Sequence, residues 1–132
     1  MDDDGHVPCV DAWLQRAEAL SPVAMVVRFE ESLDALWKRA HLTLGEVTLG
    51  AIVGRVLYTA TEKYPFLAHV RIEEDGIGVG ELRTQCAGLD PTLVREAMRF
   101  VLLELLVVIG NLTAEILTPA LHAELDKVGA EP

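Results

Sequence analysis

The stretch FLAHVRIEEDGIGVGEL, residues 66–82, decides the fold class. Ala68, Val70 and Ile72 alternate with polar residues, Asp75-Gly76 supplies a pair that tolerates positive φ, and Ile77 and Val79 resume the alternation. Period two on both sides of such a pair predicts a β-hairpin. With Asp75-Gly76 as the central turn pair, Ile72 stands opposite Val79 and Val70 opposite Glu81, while Gly78 and Gly80 leave the other face flat. A lone hairpin is marginally stable in water, so its apolar face is expected to lie against other elements.

Those other elements read as helices. Val10, Trp13, Leu14, Ala17 and Leu20 recur at helical spacing over 10–20, behind an acidic segment, 1–9, expected to be disordered. Ser21-Pro22, Asp90-Pro91 and Thr118-Pro119 have the form of helix starts, an oxygen to cap free amides followed by a ring that fixes φ. A helix from Pro22 to about His41 follows from Val26, Phe29, Leu33, Leu36 and Ala40, with a strand over 23–29 as the competing reading. Thr43 and Glu46 have the capping-box spacing and open a further helix that Pro65 ends. Inside it Gly45, Gly50 and Gly54 each cost about 1 kcal/mol relative to alanine, and close approach of another backbone at Gly50 and Gly54 is the expected gain. A long helix is expected over 91–117, with 119–128 extending it or kinking away. The fold class is α+β, mainly α: one helical domain over 10–128, with the hairpin between a glycine-containing helix and long C-terminal helices.

Composition narrows the function classes. The 132 residues carry 11 Lys plus Arg against 21 Asp plus Glu, a net charge of −10, with positive mean hydropathy. Ample apolar surface argues against intrinsic disorder, and the negative charge repels phosphate backbones and anionic lipid, so neither nucleic acid nor a membrane is an expected partner. Cys9 and Cys86 are too few for a disulfide framework. The start, MDDDGHVP, lacks the basic and apolar regions of a secretion signal, which points to a cytoplasmic protein. The apolar run 100–117 is about a membrane span in length, but Glu104, Asn111 and Glu115 interrupt it, and it reads as a buried helix.

That C-terminal helix is apolar on two sides. Val94, Met98, Val101, Leu105, Leu112 and Ile116 form one stripe, and Leu103, Leu106, Val107 and Leu117 lie on the other flank. Two apolar sides need two covers, so the second flank is the candidate interface of a homodimer. Between the flanks Glu104, Asn111, Glu115 and His122 fall within about 20° of one another if the helix continues through Pro119, making a polar stripe and a candidate ligand site. A helix-borne di-metal site needs Glu-x-x-His, which is absent, so no metal and no cofactor is expected.

The remaining motifs are weak. His6 and Cys9 make an H-x-x-C without a second ligand pair. Ser21 and Ser32 sit in no nucleophile motif. Gly76, Gly78 and Gly80 run along a strand rather than from a strand into a helix, which is the wrong context for a dinucleotide loop. His41 with Gly45, then Gly50-Ala51, resembles the H-x-x-K-G signature of histidine phosphotransfer domains, which are small acidic helical bundles, over about a dozen residues. Leu44 stands where that motif has lysine, and a hairpin follows where the bundle would add helices. The order of elements also suits a winged helix, but Val47 to Tyr64 holds only Arg55 and Lys63 as cations and the wing tip is Glu73-Glu74-Asp75. The expected function is a non-enzymatic regulatory or protein-interaction module, homodimeric through the C-terminal helices and with a protein partner. A small ligand- or metal-binding sensor and a winged-helix-like transcription regulator are the alternatives.

Overall fold

The computed structural model describes residues 5–73, 76–78, 80–85 and 88–128. It is a helical structure with one short strand pair. In chain order it comprises α1 (His6–Arg16), α2 (Pro22–Lys63), a 3-10 helix (Pro65–His69), β1 (Arg71–Glu73), β2 (Gly76–Gly78), α3 (Gly80–Gln85), α4 (Pro91–Leu112) and α5 (Thr118–Lys127).

The expected caps hold at two of three places. Ser21 accepts the Ala24 amide at 3.2 Å and Asp90 accepts the Thr92 amide at 3.0 Å, each just before a proline. Residues 23–29 are helix, because Met25, Val26 and Phe29 repeat at helical steps into the core. At the third place Leu117 is the cap and Thr118 already lies inside α5, its hydroxyl turned back to the Glu115 carboxylate. The first helix begins at His6 rather than Val10. His6, Val10, Trp13 and Ala17 share its buried side, so the apolar periodicity reaches four residues further back than Val10.

Gly45 divides α2 into two arms, 22–44 and 46–63. Its φ of 81° and ψ of 168° lie in a region open essentially to glycine alone. The break therefore falls two residues after the expected Thr43 cap. Gly50 has nothing within 4 Å of where a Cβ would stand, which corrects the expected close approach at that position.

The hairpin is shorter than 66–82. A 3-10 helix takes its first residues, and Gly80, expected in the second strand, opens α3. The register pairs Arg71 with Gly78, Ile72 with Ile77 and Glu73 with Gly76, two residues from the expected Ile72–Val79 pairing. A shift of two preserves the inward and outward alternation, so hydrophobic pattern alone could not distinguish the registers. Val79 and the Asp75 half of the expected turn pair lie outside the described residues.

Helix α2 is the central element, touching α4, α5, the 3-10 helix, both strands and α3, while α4 also packs on α1 and α5 packs on both α1 and α2. Val94, Met98, Leu102, Leu106, Leu121 and Leu125 are buried with Trp13, Phe29 and Leu33 in one contiguous apolar cluster. Leu106 and Leu117, expected in a dimer interface, are 0% and 5% exposed, covered by the chain's own elements. The second apolar side of α4 thus has its cover within the subunit. Leu103 and Val107, the other two, remain half-buried.

Candidate functional site

The polar stripe Glu104, Asn111, Glu115 and His122 requires a continuous helix, and α4 stops at Leu112. The Ala114 amide donates to Asn111 O at 3.3 Å and the Glu115 amide to Gly110 O at 2.7 Å, the paired bonds of a helix-ending turn. Ala114 and Glu115 carry this turn at φ 54° and 63°. The stripe is thereby split: Glu104 stays on α4, Asn111 is exposed at its end, and Glu115 and His122 join residues from the other end of the chain.

The first resulting site is a cluster around His6. Its Nδ1 lies 2.9 Å from His122 Nε2, one ring donating to the other, and its Nε2 lies 3.4 Å from Glu115 Oε1. His6 is 2% exposed, and its Nε2 has no hydrogen-bond partner among the described residues. His6 presents opposite ring edges to His122 and to Glu115, so the three cannot converge on one ion. Among the described residues no group of three or more His, Cys, Asp or Glu is arranged to hold a metal. The cluster acts as a tie between α1 and α5.

Further ties follow the same seam. Arg16 donates to Leu125 O at 2.9 Å and Val128 O at 3.3 Å, closing the carboxyl end of α5 with a cation as the helix dipole favours. Arg95 donates to Leu14 O and Arg99 to Asp11 Oδ1, at 3.2 and 3.0 Å, fixing α1 to α4. Cys9 donates its thiol proton to Asp126 Oδ1 across 3.8 Å. Burial, then the Asp126 charge and that hydrogen bond, push the thiol up from 9.0 to about 11 despite the opposing Arg16. A thiol so held is a poor nucleophile at neutral pH.

The second site is a cleft of about 400 Å³ between the second arm of α2 and α4. Ala51, Ile52 and Val56 form one wall and Val108 the other, with Arg55 on the α2 rim and Glu104 on the α4 rim. Neither Arg55 nor Glu104 forms an ion pair among the described residues. Beyond the cleft Val47 and Tyr58 are 87% and 71% exposed on the same arm of α2.

Of the other sequence candidates, His41 is exposed beside the Trp37 ring, with centroids 6.5 Å apart, and the Gly45 break follows within a turn. Residues 6 and 9 of the H-x-x-C fall in α1 with different partners. The cleft was missed because its residues lie on two helices far apart in sequence. The burial of His6 was legible, since carrying the Val10–Trp13–Ala17 periodicity backwards reaches residue 6. No family model matches this chain, nor does any curated protein or solved structure.

Proposed function

We propose that this chain is a non-enzymatic, cytoplasmic protein-interaction module that docks a protein partner on the cleft between α2 and α4. The observation that carries this reading is an apolar cleft with a cation and an anion on opposite rims, neither in an ion pair among the described residues. Apolar walls supply the free energy of association and rim charges set orientation, which is how a helical face recognises another protein. Arg55, Thr59 and Glu104 are the groups that line it with hydrogen-bonding side chains, and they include no nucleophile beside a general base. Helix α2 is long and apolar enough to cross a membrane by length and composition. Its break at Gly45 would leave backbone groups unsatisfied in lipid, which favours a protein as the partner.

Site-specific photo-crosslinking in cells tests the reading. A crosslinker at Ala51 is expected to give a discrete protein adduct that Ile52→Asp abolishes, whereas one at Ala123 on α5 gives none. Absence of any discrete adduct at Ala51 would show that the cleft docks nothing.

A further inference from the structure

We infer that the occupant of this cleft is a second copy of the chain, docked about a twofold axis that places Arg55 of each subunit against Glu104 of the other. The inference rests on the docking reading above and names the partner. It follows from charge, from symmetry and from what the chain leaves uncovered.

Charge comes first, because a chain of net −10 resists its own copy. That resistance is not spread evenly. Residues 46–63 carry Arg55 and Lys63 against Glu46 and Glu62, and α4 carries Arg95 and Arg99 against Glu96 and Glu104. Each is neutral, so the whole excess of ten acidic residues lies on other parts of the chain. The face these two helices form is therefore one where two copies can meet without a net excess of like charge at contact.

Symmetry then turns an unpaired couple into two ion pairs. Arg55 and Glu104 stand on opposite walls of one cleft, and neither forms an ion pair among the described residues. A twofold axis through the cleft exchanges the walls, so the cation of each copy meets the anion of the other. A partner of unrelated sequence would need its own matched couple; a second copy carries it by construction. The apolar surface on this face is what association would bury. Ile52, Leu103, Val107 and Val108 are half-buried, and the most apolar eighteen-residue stretch of α2 is only 28% buried.

The test is a charge exchange read by sedimentation equilibrium of the full chain from low to high micromolar concentration. The parent is expected to dimerise. Arg55→Glu and Glu104→Arg, each surface changes with helicity checked by circular dichroism, should weaken the dimer by about tenfold or more, because each change acts twice across the axis. Mixing the two variants should restore association as a heterodimer, since one then carries only acidic and the other only basic rims. A parent that stays monomeric, or an Arg55→Glu dimer as tight as the parent, overturns the inference. In the crosslinking experiment, an Ala51 adduct at twice the chain mass supports it. An adduct with a different protein overturns the second copy while leaving the docking reading standing, and no adduct overturns both. Flotation of a monomeric parent with phosphatidylcholine vesicles, lost in Ile52→Asp, would assign the face to lipid and overturn it as well.

Discussion

The carboxylate of Glu115 occupies the space that a side chain on Gly110 would need, with Oε1 2.5 Å from the position of a Cβ there. The turn that ends α4 folds Glu115 back over the helix it has left, and from there the carboxylate accepts the Thr118 hydroxyl and faces His6. Gly110 is thus the residue that lets the α4–α5 turn reach α1.

This geometry predicts coupling between the two positions. Gly110→Ala should gain about 1 kcal/mol of helix propensity, but in the parent it displaces the Glu115 carboxylate and the gain is offset. In a Glu115→Ala background the same substitution should express the full gain. Urea denaturation of the four proteins measures the difference, expected at about 1 kcal/mol. Equal effects in the two backgrounds would mean the carboxylate swings aside at no cost.

Two glycines of α2 are expected to respond in opposite directions. Gly45→Ala forces a Cβ onto φ 81° and ψ 168° and should cost about 1–3 kcal/mol. Gly50→Ala meets open space in a helix interior and should stabilise by about 0.5–1 kcal/mol. Thermal denaturation followed at 222 nm orders the three proteins. A destabilised Gly50→Ala would revive the close backbone contact that the glycine spacing suggests.

A third expectation concerns the join between α1 and α2. The Trp13 indole donates to Ser32 Oγ at 2.7 Å, and that hydroxyl donates onward to Arg28 O at 2.9 Å, with both side chains fully buried. Ser32→Ala leaves the indole N–H without an acceptor and should cost about 1–3 kcal/mol. Ser32→Thr, which keeps the hydroxyl, should cost less if the extra methyl is accommodated. Chemical denaturation decides, and an Ala variant as stable as the parent would show that the indole finds another acceptor.

Much of the fold was legible because local chemistry decided it. Ser21 and Asp90 before prolines start helices wherever the flanking pattern is helical, and alternation on both sides of Asp75-Gly76 marked the strand pair, although Gly76 itself stands in β2 opposite Glu73 rather than in the turn. Thr118-Pro119 looked the same in sequence, but a carboxylate three residues earlier was the better partner for its hydroxyl. The hairpin register escaped because a slip of two leaves every inward position inward.

The site was less legible, and for one reason. Helical projection says how many sides of α4 are apolar and not what covers them. Leu106 and Leu117 read as an exposed flank until α1 and α5 are placed in space, after which Leu103 and Val107 are what remain at the surface. The polar stripe failed for a related reason: it assumed a continuous helix across Ala114 and Glu115, residues whose positive φ no side-chain preference announces. Leu106→Asp should accordingly unfold the subunit rather than divide a dimer.

The last prediction follows from the Cys9 thiol. Burial first, then the Asp126 charge and hydrogen bond, raise it to about 11 from 9.0, so the folded state favours the protonated form. Its contribution to stability is therefore complete below pH 9 and is lost as pH climbs from 9 through 11. The same shift sets reactivity, since only the thiolate attacks an alkylating agent. In a Cys86→Ser background, where Cys9 is the sole thiol, the labelling rate of the native protein should be far below that of the denatured chain at pH 8. Its midpoint should fall well above the denatured value, which separates ionisation from mere access. Asp126→Asn removes the neighbouring charge while leaving the thiol half-buried, so the midpoint should fall only part of the way back. A native midpoint equal to that of the denatured chain would show that neither burial nor Asp126 holds the proton on Cys9.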